Sequence, residues 1–235
     1  MIITKPRDWA RITGNLESVG ARRVFLMGCG QCATVAHTGG EKELEATAAQ
    51  LAAEGYTVTG WTVGDVTCHL NGTKLDARKH REEIDSADAV LVLACGAGVQ
   101  TTAEAIGKPV FPGLESLFLG TVVRNGVFEE RCQTCGDCVL GETAGICPVT
   151  TCPKGLLNGP CGGMWDGMCE VLTDRECTHV RIRRRLTEQG RAGAGTLAPK
   201  DFSTALKPGS VNIRDRVTAR QKPSSEGPPG RKGTR

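Results

Sequence analysis

Eight cysteines fall between Arg131 and Cys177, and four more stand at positions 29, 32, 68 and 95. Thiols in such numbers point to a disulfide framework, to structural zinc or to iron–sulfur clusters. Cys132, Cys135 and Cys138 form C-x2-C-x2-C, the opening of a bacterial ferredoxin loop, in which the fourth cysteine is followed by proline. Cys147 carries that proline, Pro148, although eight residues rather than three separate it from Cys138. Cys152, Cys161, Cys169 and Cys177 follow, with eight, seven and seven residues between successive members. Eight thiolates are what two [4Fe–4S] clusters require, and Gly136, Gly145, Gly159, Gly162, Gly163 and Gly167 would let backbone N–H groups approach cluster sulfurs closely. Zinc at one of these sites is the competing reading. Four-cysteine zinc sites are usually built from two tight knuckles, and only one tight group is present. Spacing alone leaves the pairing of the eight open.

The other four cysteines sit at the ends of apolar runs. "GCGQCA" matches G-x-G-x-x-A at Gly28, Gly30 and Ala33, but Asp65 comes 37 residues after Gly28, too far along for the ribose-binding acid of a dinucleotide site. Cys29 and Cys32 instead occupy the loop a pyrophosphate would approach. Cys68 follows a second strand and Cys95 ends a third. In a doubly wound sheet ordered 2-1-3-4 these loops meet at the carboxyl edge, so Cys29, Cys32, Cys68 and Cys95 are expected to share one cluster or metal ion. Four separately buried thiols are the plainer alternative. His69, beside Cys68, is either a spare ligand or a solvated loop residue.

The elements that must position these residues are legible as short continuous apolar runs. "RRVFLMG" (22–28), "YTVTGWTV" (56–63), "DAVLVLACG" (88–96) and "KPVFPG" read as buried strands. Between them, "GGEKELEATAAQLAAEG" places Leu44, Ala48 and Leu51 on one helical face, "KLDARKHREEIDSA" aligns Leu75 with Ile84, and "VQTTAEAIG" makes a shorter helix. This alternation predicts a small, flavodoxin-like parallel α/β domain over residues 1–130. Residues 131–190 turn to Cys, Gly and Pro with few large apolar side chains, predicting an irregular domain stapled by metal and closed by the basic helix "THVRIRRRLTEQG". Residues 191–235 have the composition of a disordered basic tail. Trp61 and Trp165 are expected to be packing residues.

Charge is divided unevenly: residues 1–180 carry 15 Lys and Arg against 22 Asp and Glu, residues 181–235 carry 14 against 4. The N-terminal residues lack the apolar core of a secretion signal, and no apolar run nears the roughly 18 residues of a membrane span. A cytoplasmic setting with reduced thiols is the expectation, which argues against disulfides. Neither a P-loop, nor H-E-x-x-H, nor a nucleophile elbow is present. The basic "RIRRRL" has no interleaved aromatics, so it suits docking on an acidic partner better than binding nucleic acid.

At "GCGQCATVAHTGGEKE", "LVLACGAGVQT", "VLGETAGICPVTTCPKGLLNGPCGG" and "CEV" the sequence resembles the iron–sulfur companion subunit of methylenetetrahydrofolate reductase, the family of that reductase's C-terminal domain, from Met1 to about Leu186. The resemblance implies up to three [4Fe–4S] clusters. It also implies a partner, a flavin-containing TIM-barrel subunit that reduces 5,10-methylenetetrahydrofolate to 5-methyltetrahydrofolate. Electrons would come from a donor such as a ferredoxin or an NADH-oxidising subunit and pass through the clusters to that flavin. The chain would hold no flavin or folate itself. In the alternative, zinc staples a scaffold that only stabilises the reductase. The chain departs from the family at His179, where relatives carry an aromatic, in the arginine-rich helix, and in its long basic tail.

Overall fold

A computed structural model describes residues 1–193 and 197–199. The chain opens with β1 (Ile2–Pro6) and α1 (Trp9–Ser18). It continues through β2 (Arg23–Cys29), α2 (Cys32–Val35), α3 (Glu41–Ala53), β3 (Thr57–Gly64), α4 (Leu70–Lys79), α5 (Arg81–Ser86), β4 (Ala89–Leu93), α6 (Gly96–Ala105) and β5 (Val110–Pro112). Then come β6 (Leu114–Arg124), β7 (Val127–Cys132), α7 (Pro148–Thr151) and α8 (Thr178–Glu188).

Four strands form a wholly parallel sheet in the order β3-β2-β4-β5, the arrangement the alternating apolar runs predict. β2 and β4 lie side by side at its centre, with Leu26 opposite Leu91. Both are covered on two faces, so their residues are apolar without alternation: Val24 to Met27 and Ala89 to Val92 are all 0–1% exposed. Leu16, Leu44 and Leu51 cover them from α1 and α3. Truncating such a residue leaves a cavity that close packing cannot refill. Leu91→Ala is therefore expected to cost about 2–5 kcal/mol, and an unshifted urea midpoint would contradict this packing.

Helix ends follow their capping chemistry. The Asp8 carboxylate accepts the Arg11 amide at 3.3 Å to start α1, and the Gly40 amide donates to Glu43 at 2.9 Å to start α3. The segment "KLDARKHREEIDSA" is two helices rather than one, divided at His80 (φ −107°, ψ 29°). The change of direction buries Thr73 and Ile84 and leaves Leu75 52% exposed, contrary to the single-helix expectation.

β1, β6 and β7 make a separate antiparallel sheet in the order β1-β6-β7. The apolar-run argument misses it, although Asn125-Gly126 between "GTVV" and "VFEE" is a strong hairpin signal and Gly126 adopts the φ of +74° that such turns demand. The sheet is tied to the loop after α2 by a buried 2.6 Å hydrogen bond between the Thr4 and Thr38 hydroxyls.

Past β7 the large core gives way to a cluster of four buried residues, Ala144, Ile146, Ile182 and Leu186. Trp61 is half-buried against the main core, as expected. Trp165 is not: it is 83% exposed at a tight turn closed by a Trp165–Met168 bridge, in a segment with no core deep enough to take an indole. By its internal contacts the chain divides into two units, Met1–Thr134 with Val139–Leu197, and Cys135–Cys138 with Ala198–Arg235. Nearly all of the expected disordered tail lies outside the described residues. Among the described residues no helix is long and apolar enough to cross a membrane.

Candidate metal centres

Parallel strands bring three cysteines to one edge of the sheet. β2 ends on Cys29, β3 leads through a short loop to Cys68, and β4 leads to Cys95, the residue that starts α6. The loops are held to the strand ends by buried hydrogen bonds: the Thr67 hydroxyl donates to the Gly28 carbonyl at 2.8 Å, and the Thr73 hydroxyl donates to the Thr67 carbonyl at 2.9 Å. The Gly30 amide donates to the Gly64 carbonyl at 2.7 Å, and the Cys29 amide to the Gly39 carbonyl at 3.0 Å. Only glycine allows the last approach, since a Cβ on Gly39 would overlap the Leu93 carbonyl oxygen. Cys32 begins α2 on the same loop.

All four thiols are free; Cys29 is buried, Cys32 and Cys95 are half-buried, and Cys68 is exposed. Desolvation pushes the Cys68 thiol up, and the neighbouring thiols of Cys95, Cys29 and Cys32 push it further against an opposing backbone hydrogen bond. Cys68 is thus the thiol that the other three crowd. His69 serves as the cap of α4, its Nδ1 accepting the Gly72 amide at 3.1 Å.

Four other cysteines share a cavity. Cys152, Cys161, Cys169 and Cys177 all line one small space of about 20 Å³, together with Leu156, Met164 and Val171. Local backbone bonds place them: Cys152 ends α7, the Cys169 amide donates to the Arg175 carbonyl at 2.9 Å, and the Cys177 amide donates to the Gly167 carbonyl at 2.8 Å just before α8. The Leu172 amide points at the Cys169 sulfur at 3.5 Å. Lys154 and Glu170 form an ion pair on the wall, with Glu170 Oε2 3.6 Å from the Cys161 sulfur. Lys154 holds the Glu170 carboxyl below its usual range, and Glu170 pushes Lys154 up.

His179 lies on the buried face of α8 with Ile182 and Leu186. Its Nε2 is 3.0 Å from the Leu156 carbonyl, and burial, opposed by that hydrogen bond, lowers its pKa. The ring packs so closely on Gly159 that a Cβ there would lie 2.5 Å from it. His179 thus fills a structural place beneath the loop leading to Cys161.

The remaining cysteines are divided between the two units. Cys132 ends β7, where the Thr134 amide approaches its sulfur at 3.3 Å, and Cys147 is the residue before α7. The Thr150 hydroxyl lies 3.4 Å from the Arg131 carbonyl, joining the start of α7 to the end of β7. Cys135 and Cys138 belong to the second unit, where the Cys135 thiol donates to the Asp137 carbonyl at 3.6 Å. Among the described residues no three His, Cys, Asp or Glu side chains stand in a ready metal-holding geometry.

Residues 111–203 match the family described as "Methylene-tetrahydrofolate reductase C terminal". Over these residues the chain is similar to that family. The methylene-tetrahydrofolate reductase C-terminal match takes in Cys132 to Cys177 and stops short of Cys29, Cys32, Cys68 and Cys95. No curated protein matches the chain. Two solved structures of arylmalonate decarboxylase, one a glycine-to-cysteine mutant in a sulfate ion associated form, share 21% and 20% identity over 43% and 44% of this chain, each with a TM-score of 0.32. The chain spans 46% of the length of each. A likeness that slight carries no functional argument.

Proposed function

We propose that the chain is an iron–sulfur subunit of a methylenetetrahydrofolate reductase, passing electrons to a flavin-containing partner that reduces 5,10-methylenetetrahydrofolate to 5-methyltetrahydrofolate. The observation that carries this reading is the cavity walled by Cys152, Cys161, Cys169 and Cys177, inside the segment that matches the reductase's C-terminal family. The donor set fits a cluster: four free thiols, apolar side chains that limit water, and an amide directed at a sulfur. When bound, a [4Fe–4S] cluster supplies one-electron transfer at such a site. The chain's part would be to hold it, with Leu172 N–H stabilising charge on the Cys169 sulfur and the half-buried Leu156 and Met164 walling the site.

Cys29, Cys32, Cys68 and Cys95 are a second proposed set, and Cys132, Cys135, Cys138 and Cys147 are further proposed ligands, the first three on their ferredoxin-like spacing. The α/β part to residue 130 and the cysteine-rich part to residue 190 would then each carry their own centres. Electrons would enter from a ferredoxin or an NADH-oxidising subunit. The test is anaerobic stopped-flow mixing of the reduced chain with a flavin-containing reductase subunit. Flavin bleaching whose rate rises with chain concentration is expected; bleaching no faster than with the chemical reductant alone would defeat the proposal.

The exposed side of α8 is the proposed docking surface, and its arginines are not equivalent. Arg184 is already paired with Glu176 at 2.5 Å and with Glu188 at 3.8 Å, whereas Arg183 is exposed and makes no ion pair among the described residues. Arg183→Glu is therefore expected to raise the chain concentration needed for half-maximal flavin reduction several-fold at low salt and much less at high salt, where screening has already removed the attraction. An equal effect at both salt concentrations would count against docking by charge.

A further inference from the structure

A second and larger space, of about 360 Å³, is lined by Arg131, Leu140, Cys147, Thr151, Arg181 and Arg185 among others, and no carboxylate borders it. Cys147 is the only cysteine on its wall, so what converges here is positive charge rather than thiolate. The three guanidinium groups are compensated unequally. Arg131 is paired with Glu129 at 2.6 Å. Arg185 donates to the Ala144 carbonyl at 3.2 Å, a neutral acceptor that leaves its charge intact. Arg181 makes no ion pair and no side-chain hydrogen bond among the described residues, although it is half-buried. Arg7, the other half-buried arginine among the described residues, is paired with Glu115 at 2.9 Å. A partly desolvated guanidinium without a counter-charge is costly, and an anion in the space would relieve it. Arg181 and Arg185 stand four residues apart on α8, one turn above the other, so their two uncompensated charges border the same place.

We propose that this space binds a dianionic phosphate group, free or at the end of a small ester. The inference goes beyond the electron-transfer reading and is the same whether the chain carries iron–sulfur clusters or zinc. Charge balance selects the ligand: two uncompensated guanidinium groups match the charge of roughly −1.5 to −2 that a phosphate monoester carries at neutral pH. A single carboxylate would leave one of them unpaired. Guanidinium also presents paired N–H donors that fit two phosphate oxygens at once, and it keeps its charge at every working pH. The arginines alone supply the donors, because the Thr150 and Thr151 hydroxyls lie within 3.5 Å of the Cys147 carbonyl. Salt screens the half-buried Arg181 less than an open surface charge, so binding should survive ordinary ionic strength.

Isothermal titration calorimetry of the anaerobically purified full chain tests this with inorganic phosphate, phenyl phosphate and succinate at matched ionic strength. Phosphate is expected to bind at a single site per chain and more tightly than succinate, a dianion whose charges sit on two separate carboxylates. Phenyl phosphate binding tighter than inorganic phosphate would assign the site to an ester, and equal binding would assign it to phosphate itself. Arg181→Gln and Arg185→Gln should each weaken phosphate binding about 10-fold or more, the scale of losing a charge-assisted hydrogen bond. Arg81→Gln, on α5, should leave it unchanged. Arg181→Lys should fall between, since it keeps the charge and loses the fork. Its metal content and the unfolding midpoint of its sheet should match those of the unmodified chain, which separates ligand loss from misfolding. Phosphate binding no tighter than succinate binding, or equal phosphate binding by the Arg181→Gln and unmodified chains, would overturn the inference. Neither result bears on electron transfer, which flavin bleaching decides separately.

Discussion

Removing the metal, by chelation or by oxidative loss of the clusters, is expected to expose residues 139–190 to protease while residues 20–115 stay intact. The contrast follows from what each part buries. The parallel sheet is held by Phe25, Leu26, Leu16, Leu44, Leu51 and Leu91, all 0% exposed, and needs no ligand to stay folded. The cysteine-rich segment has only Ala144, Ile146, Ile182 and Leu186 in its own cluster. At about 1.5–3 kcal/mol for each large aliphatic side chain, these fall well short of the entropy of ordering a segment this long. Metal–thiolate bonds, worth on the order of 10 kcal/mol per structural site, would make up the difference. Limited proteolysis with fragment masses reads the outcome, and equal resistance in both parts would contradict it.

Cys152→Ser combined with Cys161→Ser is expected to lower electron delivery to the partner flavin by at least about 100-fold, since losing ligands should exceed the 10–100-fold effects of outer-shell changes. Both residues line the same cavity, so one centre is lost rather than two being weakened. Two controls isolate the cause: the flavin should still be reducible directly by light, and the sheet should keep its unfolding midpoint. Undiminished delivery would show that this set carries no required electrons and would leave the zinc-stapled scaffold as the surviving account.

The parallel sheet is legible in the sequence because burial on both faces forces continuous runs such as "VFLM" and "AVLV", which solvent-facing strands do not show. Once that order is known, the positions of Cys29, Cys68 and Cys95 at one edge follow from topology. β6 and β7 are harder to see, because Ser116, Leu117, Val122 and Val123 are exposed and no burial alternation marks their faces; the Asn125-Gly126 turn is the signal that finds them. The grouping of Cys152, Cys161, Cys169 and Cys177 could not be read from intervals of eight, seven and seven residues. It depends on the bridges among Trp165, Met168 and Glu176, which fold the segment back so that Cys177 meets Gly167. Likewise "RIRRRL" reads as one basic stripe, yet the helix pairs Arg184 with its own neighbours and turns Arg181 and Arg185 toward the Cys147 cavity.

The most direct measurement is the content of iron, acid-labile sulfide and zinc in the anaerobically purified chain. Three four-iron clusters require about twelve iron and about twelve sulfide per chain, with a brown solution and a paramagnetic signal on reduction. A colourless protein holding zinc and no sulfide would contradict the account.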